Sequence, residues 1–180
     1  SAELLRAFDN FGSKVLTPKS VSGQFFVSGV LDGYFDNAIN LIQRSLTGNL
    51  KLTLNNGALN QFEPLRRIGK YAFPFRNFDR VTIDPLVINI VFKNGFANIA
   101  PTPINTSVFN FDLAGSYGFY GNSNMQLDVH LRDPAKDKEI TNKKVVQENR
   151  KKGITLHLQA IEEGNAPFKI KLRYKNDKLQ

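Results

Sequence analysis

The 180-residue chain has no cysteine and no tryptophan, a single methionine and only two histidines. The absence of cysteine excludes disulfides, a thiolate nucleophile and metal sites built on thiolates. Apolar residues make up 41% of the chain, but no uninterrupted apolar run reaches the roughly 20 residues that a membrane helix needs. The length is sufficient for one domain, residues 1–180, with a sizeable buried core.

Most of the chain shows the alternation of apolar and polar residues that is typical of β-strands with one buried face. The predicted strands cover Val21–Leu31, Leu50–Leu54, Leu86–Phe92, Phe96–Ile99, Val108–Ala114, Met125–Leu131, Ile154–Ala160 and Phe168–Tyr174. Turn residues separate them. Asn55-Asn56-Gly57 and Asn94-Gly95 each predict a hairpin, because both central residues of a type I′ turn need a positive φ.

Three segments instead place apolar residues three or four positions apart, the spacing of an amphipathic helix. They are Glu3–Leu16, Phe35–Leu46 and Phe62–Ala72. The predicted fold class is therefore α+β, with a mainly antiparallel, twisted or curved, groove-like β-sheet and two or three short helices on it. Residues 1–47 form the lead-in to the β region at 48–177.

The sequence offers little for catalysis, so the chain is not expected to be an enzyme. His130 and His157 fall on the polar face of predicted strands without a nucleophile or metal-ligand motif around them, so both are interpreted as ordinary surface residues. Asp32 and Asp36 lie near the start of the predicted helix, where they are explained by its dipole. The glycines of the segment 115–121 lack the context of a phosphate-binding loop. We expect no catalytic residue, no metal and no cofactor.

The continuous apolar side of the sheet is the more informative feature, and it allows two interpretations. Covered by the predicted helices, it would be an ordinary core. Partly uncovered, it would accept acyl chains. For the second interpretation the lipid-facing candidates are Leu86, Ile88, Ile90, Phe92, Met125, Leu127 and Val129.

Basic residues exceed acidic ones by eight and are concentrated after residue 132. The Lys-rich segment 134–153 is predicted to be a solvated insertion in which a short helix could form. On the last strand, the predicted exposed face carries Lys169, Lys171, Arg173 and Lys175, which are candidates for binding headgroup phosphates or other anions. The alternative is an edge strand protected from aggregation by its charges. Nucleic acid is disfavoured as a partner, because the aromatic residues of this strand fall on the opposite face.

The order of these elements resembles the AsmA-like C-terminal region found in Bacteroidetes-type envelope proteins. The similarity lies in three runs and the final hairpin. The runs are GNLKLTLNNGALNQFEPLRRIGKYA at 48–72, FDRVTIDPLVINIVFKNGFANIAPTPINTSVFNFDLAGSYGF at 78–119 and NMQLDVHLRD at 124–133, and the hairpin is KGITLHLQAIEEGNAPFKIKLRYKND at 152–177. It covers residues 48–177, and its specificity lies in the order of motifs that are individually loose.

The resemblance implies a non-enzymatic, β-rich C-terminal fragment of a larger protein that is tethered to the inner membrane by an upstream helix and lies in the periplasm. It implies a role in outer-membrane biogenesis through phospholipid transport or homeostasis. Expected partners are a phospholipid or other acyl lipid, the rest of the parent protein and other envelope proteins. The alternative is a structural or protein-interaction cap with a fully covered core and no lipid.

Overall fold

One antiparallel β-sheet of nine strands dominates the computed structural model, which describes residues 19–62, 65–66, 76–164, 166 and 169–173. The strands are β1 (Val21–Phe35), β2 (Leu41–Asn60), β3 (Arg80–Ile83), β4 (Leu86–Lys93), β5 (Phe96–Ile104), β6 (Asn110–Gly118), β7 (Asn124–His130), β8 (Thr155–Ile161) and β9 (Lys169–Leu172). They are hydrogen-bonded in the order β1-β2-β4-β5-β6-β7-β8-β9, and β3 also pairs with β2. The sheet is open, and β1 and β9 are its outer strands.

The α+β prediction is wrong, because the structure is mostly antiparallel β-sheet. One complete α-helix occurs in the described ranges: α1 (Lys143–Arg150), which begins at the N-cap Asn142 and follows a 3-10 turn at Pro134–Asp137. Both lie in the predicted insertion 134–153. The predicted helix Glu3–Leu16 falls outside the described residues. So does most of Phe62–Ala72, of which residues 65–66 are helical.

The predicted helix Phe35–Leu46 is a β-hairpin. β1 runs to Phe35, β2 begins at Leu41, and the two residues pair. The carboxylate of Asp36 holds the turn, because it accepts hydrogen bonds from the backbone N–H groups of Ala38 (2.8 Å) and Asn40 (2.9 Å). The helical spacing of the apolar residues thus arises from two strand ends and a turn whose Asx hydrogen bonds compete with helix formation.

The two Asn-Gly signals have different outcomes. Asn94 and Gly95 have φ values of 55° and 79° and connect β4 to β5 through the pair Lys93–Phe96, so this predicted hairpin is confirmed. The predicted turn at 55–57 is wrong. β2 continues through it with a β-bulge, at which Asn56 takes a φ of 51°. A bulge uses the same positive-φ residue as a turn does, but bends the strand instead of reversing it.

The sheet separates into two arms between β4 and β5. These strands pair only from Ile90–Ile99 to Lys93–Phe96, and the rest of β5 carries Pro101 and Pro103 and pairs only with β6. Proline has no N–H to offer a second neighbour, which explains why pairing stops there. Leu54 and Leu86 of one arm form a core cluster with Ile104 of the other. The apolar sides of the two arms therefore face each other.

Candidate functional site

An apolar face runs across eight strands of the sheet. On the first arm, Val27 pairs with Leu52, which pairs with Ile88. On the second arm, the corresponding row is Leu113, Leu127, Leu158 and Leu172 on β6 to β9. Cross-strand pairs have side chains on the same face. The predicted one-sided apolar sheet is thus present, but it is formed by two arms joined at the β4–β5 hairpin.

The seven lipid-facing candidates lie on this face in two groups. The core of the domain includes Leu86, Phe92 and Val129, which are buried in three separate clusters. The half-buried residues are Ile88, Ile90, Met125 and Leu127. Ligand contact with the first group would require the core to open. The accessible part of the predicted site is therefore limited to the second group, on β4 and β7.

One end of the second arm is covered. Val129 belongs to a cluster with Leu65, Phe78, Val108 and Phe109. Leu65 and Phe78 come from segments outside the sheet, and Val108 and Phe109 come from the loop before β6. The rings of Phe78 and Phe109 form a tilted pair, with centroids 6.1 Å apart and an interplanar angle of 39°. Loop residues, rather than the predicted helices alone, thus cover the face at the β3 end.

The predicted row of cations is divided by the structure. Lys169 and Lys171 are exposed. Arg173 is buried and its guanidinium donates to the Asp128 carboxylate, so the prediction that it lies exposed with the lysines is wrong. The physical reason is pairing: a cationic side chain is buried where a carboxylate compensates its charge. Lys175 lies outside the described residues.

The opposite, polar face carries a buried network that the sequence did not reveal. His130 is 5% exposed, which contradicts its interpretation as a surface residue. Its Nε2 lies 3.0 Å from Asp112 Oδ2 and its Nδ1 lies 3.1 Å from Thr155 Oγ1. Arg150, at the end of α1, is 1% exposed. It donates to Asp112 Oδ1 and to the carbonyl oxygen of Phe111, at 2.9 Å.

A second set repeats this arrangement one strand further along. Asp112 and Asp128 are register partners on β6 and β7. Asp128 Oδ1 lies 2.7 Å from His157 Nδ1 and also accepts from Arg173. Each carboxylate therefore joins one histidine and one arginine. The weak sequence signal was the recurrence of polar residues at every second position of β7, among them Asp128 and His130. Their partners become apparent only when the register is known.

The direction of the pKa shift of Asp112 shows whether burial or the neighbouring donors and charges have the larger effect on this carboxyl. Burial opposes ionisation of this carboxyl, but the hydrogen bond from His130 and the charge and hydrogen bond of Arg150 outweigh it and lower its pKa. The carboxylate is therefore held ionised between cationic and donor groups. It anchors α1 to the sheet through Arg150.

The line Thr155–His130–Asp112 has the chemical order of a hydroxyl, a base and an orienting carboxylate. It lacks the accessibility of a catalytic site, because His130 is buried and Arg150 already occupies the other oxygen of Asp112. We therefore interpret it as a structural network. Across the described ranges, no group of three potential His, Asp or Glu ligands is arranged to hold a metal ion.

Comparisons with known protein families, with curated proteins and with solved structures give no match. The resemblance to the AsmA-like region therefore stays a prediction. No helix in the described part of the chain is long and apolar enough to cross a bilayer.

Proposed function

We propose that this chain is a non-enzymatic lipid-binding domain whose apolar face shelters acyl chains of a phospholipid. The observation that carries the proposal is the apolar face itself, which spans both arms and keeps Ile88, Ile90, Met125 and Leu127 half-buried rather than sealed in the core. Contiguous apolar surface that stays accessible commonly marks an interaction site.

The arrangement of the arms supports the same proposal. Their apolar sides face each other across the unpaired parts of β4 and β5. The two arms are held together by the short ladder next to Asn94-Gly95, by an isolated bridge between Ile83 and Thr106, and by the core cluster of Leu54, Leu86 and Ile104. An acyl chain between such arms would exchange water for aliphatic side chains, which is favourable by about 0.8 kcal/mol per methylene. A place in the periplasm, a tether in the inner membrane and a role in outer-membrane biogenesis complete the proposal and rest on the family resemblance.

The test is extraction of the purified chain with organic solvent, followed by mass spectrometry of the extract and native mass spectra of the protein. We expect phospholipid in near-stoichiometric amounts, either as purified or after incubation with vesicles. Ile90→Asp and Met125→Asp should each lower the bound lipid at least tenfold, because a carboxylate in contact with acyl chains is strongly disfavoured.

Asn89→Asp is the matched control, since Asn89 is the exposed neighbour of Ile90 on the opposite face of β4. It should load lipid as the wild type does. Far-UV circular dichroism and thermal unfolding establish that each variant is folded. A wild-type protein that stays lipid-free in the presence of vesicles would overturn the proposal and favour the structural cap with a covered core.

A further inference from the structure

Three large apolar side chains are exposed together at the β8–β9 end of the sheet. Ile154, Ile170 and Leu172 are 68%, 70% and 76% exposed. Ile170 pairs with Ala160 and Leu172 with Leu158, so both belong to the apolar face. Ile154 and Leu172 line the same open cleft, of about 830 Å³, at the point where β9 ends beside β8. The apolar face is thus exposed at this end of the sheet.

Lysines surround these apolar residues. Lys169 and Lys171 alternate with Ile170 along β9 and are exposed, and Lys151 lines the cleft with Ile154. Glu163 lies 4.0 Å from Lys169, between Oε2 and Nζ, and both side chains are well exposed. An exposed ion pair of this length contributes little and is easily exchanged for another anion. The end of the sheet therefore combines exposed aliphatic side chains with mobile positive charge.

We infer that this region docks edge-on against an anionic phospholipid bilayer. We call it the docking edge and define it as Ile154, Ile170, Leu172, Lys151, Lys169 and Lys171. A flat surface that meets an outer strand edge-on touches side chains from both of its faces. The aliphatic side chains would enter the headgroup–acyl boundary, while the long lysine side chains extend to the phosphates.

The mixed chemistry of the docking edge favours a bilayer over the other anionic partners. A nucleic acid or a soluble polyanion would engage the lysines and leave Ile170 and Leu172 in water. A bilayer surface satisfies both groups. The inference deepens the proposed function, because it places one end of the lipid-binding face at a membrane. It does not require that the face carries lipid, so the two proposals can fail separately.

The test is co-sedimentation of the full chain with vesicles of phosphatidylcholine containing 30 mol% phosphatidylglycerol, and with vesicles of phosphatidylcholine alone. We expect binding to the first and much weaker binding to the second. Lys169→Gln/Lys171→Gln should weaken binding roughly thirtyfold, since each lysine near an anionic surface contributes about 1 kcal/mol and about 1.4 kcal/mol corresponds to a tenfold change. Ile170→Ser/Leu172→Ser should weaken it at least tenfold.

The matched controls are Lys51→Gln/Lys93→Gln and Val87→Ser/Val91→Ser, which remove the same kinds of exposed residue from β2 and β4. Both should bind as the wild type does. Ile90→Asp should also bind normally, even where it abolishes lipid loading. Equal losses in the control and docking-edge variants would overturn the inference.

A cysteine-free chain permits a second measurement that does not depend on these variants. An environment-sensitive dye on Ile170→Cys should shift to the blue on addition of anionic vesicles, while the same dye on Val91→Cys should not. No shift at Ile170→Cys, or retention on heparin that exceeds vesicle binding and is unaffected by Ile170→Ser/Leu172→Ser, would refute membrane docking and assign the lysines to a soluble polyanion.

Discussion

Arg150 offers the sharpest test of the polar network, because it is the most deeply buried charge in the described structure. Its guanidinium donates to the carboxylate of Asp112 and to the carbonyl oxygens of Phe111 (2.9 Å) and Ile104 (3.4 Å). Its Nε is buried without a partner, so the pair already carries a desolvation cost. Arg150→Met preserves much of the apolar volume and removes the charge.

We expect Arg150→Met to lower the free energy of unfolding by about 3–5 kcal/mol, because it leaves the buried Asp112 carboxylate without its cationic partner. Arg150→Lys keeps the charge but not the fork of donors, and should lose less. Urea denaturation followed by far-UV circular dichroism measures both. In the double variant Asp112→Asn/Arg150→Met, part of the loss should be recovered, since no unpaired carboxylate remains.

The stability that the Asp112–Arg150 pair contributes should depend on pH, and the direction follows from the pKa of Asp112. The pKa of Asp112 is lowered in the folded state from its usual value of 3.8, so its stabilising contribution is present above that value and is lost as the pH falls through the lowered pKa. The deficit of Arg150→Met should therefore shrink in acid. Lys144→Met, an exposed change on the same helix, should stay within about 0.5 kcal/mol of wild type. A deficit below 1 kcal/mol for Arg150→Met would refute the assignment of Arg150 as the anchor of α1.

Two further predictions concern the turns. Arg132 donates to Asp137 at 2.9 Å and, with a hydrogen bond from Asn149, lowers the pKa of this carboxyl despite its burial. Asp137→Asn should therefore destabilise the fold near pH 7. In urea titrations, the difference in stability from wild type should disappear as the pH falls through the lowered pKa of Asp137. A loss of stability that is independent of pH would contradict this prediction. Gly95→Ala should lower the free energy of unfolding by about 1 kcal/mol, because Gly95 has a φ of 79°. Asn94→Gly should be nearly neutral. Equal effects of the two substitutions in thermal unfolding would argue against the type I′ turn.

At the two Asn-Gly sites, a residue with a positive φ could be predicted from the sequence, but whether it forms a turn or a bulge could not. Asn94-Gly95 forms the predicted hairpin, because the strands that flank it pair directly. At Asn56 the same chemistry forms a bulge, because β2 finds continuous partners on both sides of that point. Which outcome occurs depends on pairs of residues more than 25 positions apart in sequence, such as Gln24 and Asn55. No local signal contains that information.

The helix predicted at Phe35–Leu46 failed for a related reason. Its apolar spacing fits a helix, but β1 and β2 pair with each other across this segment, so that Leu46 is buried while Phe35 and Ile39 remain 63% and 83% exposed. Tertiary context overrides a weak propensity in such segments. The apolar face, in contrast, could be predicted from alternation, because every strand carries the period of two whatever its neighbours are.

The buried network was missed because a polar position on an alternating strand is normally solvated. Here α1 covers part of the polar face, so Asp112 and His130 are buried there while Val129 is buried on the other side of the same sheet. A slip of one residue along β7 would place Val129 against Arg150 and His130 in the apolar cluster. Two-sided burial thus fixes the register of β6 to β8 strongly. At β1, exposed apolar residues occur on both faces, among them Phe26 and Val27. Burial on both faces therefore specifies the register of β6 to β8 more strongly than that of β1.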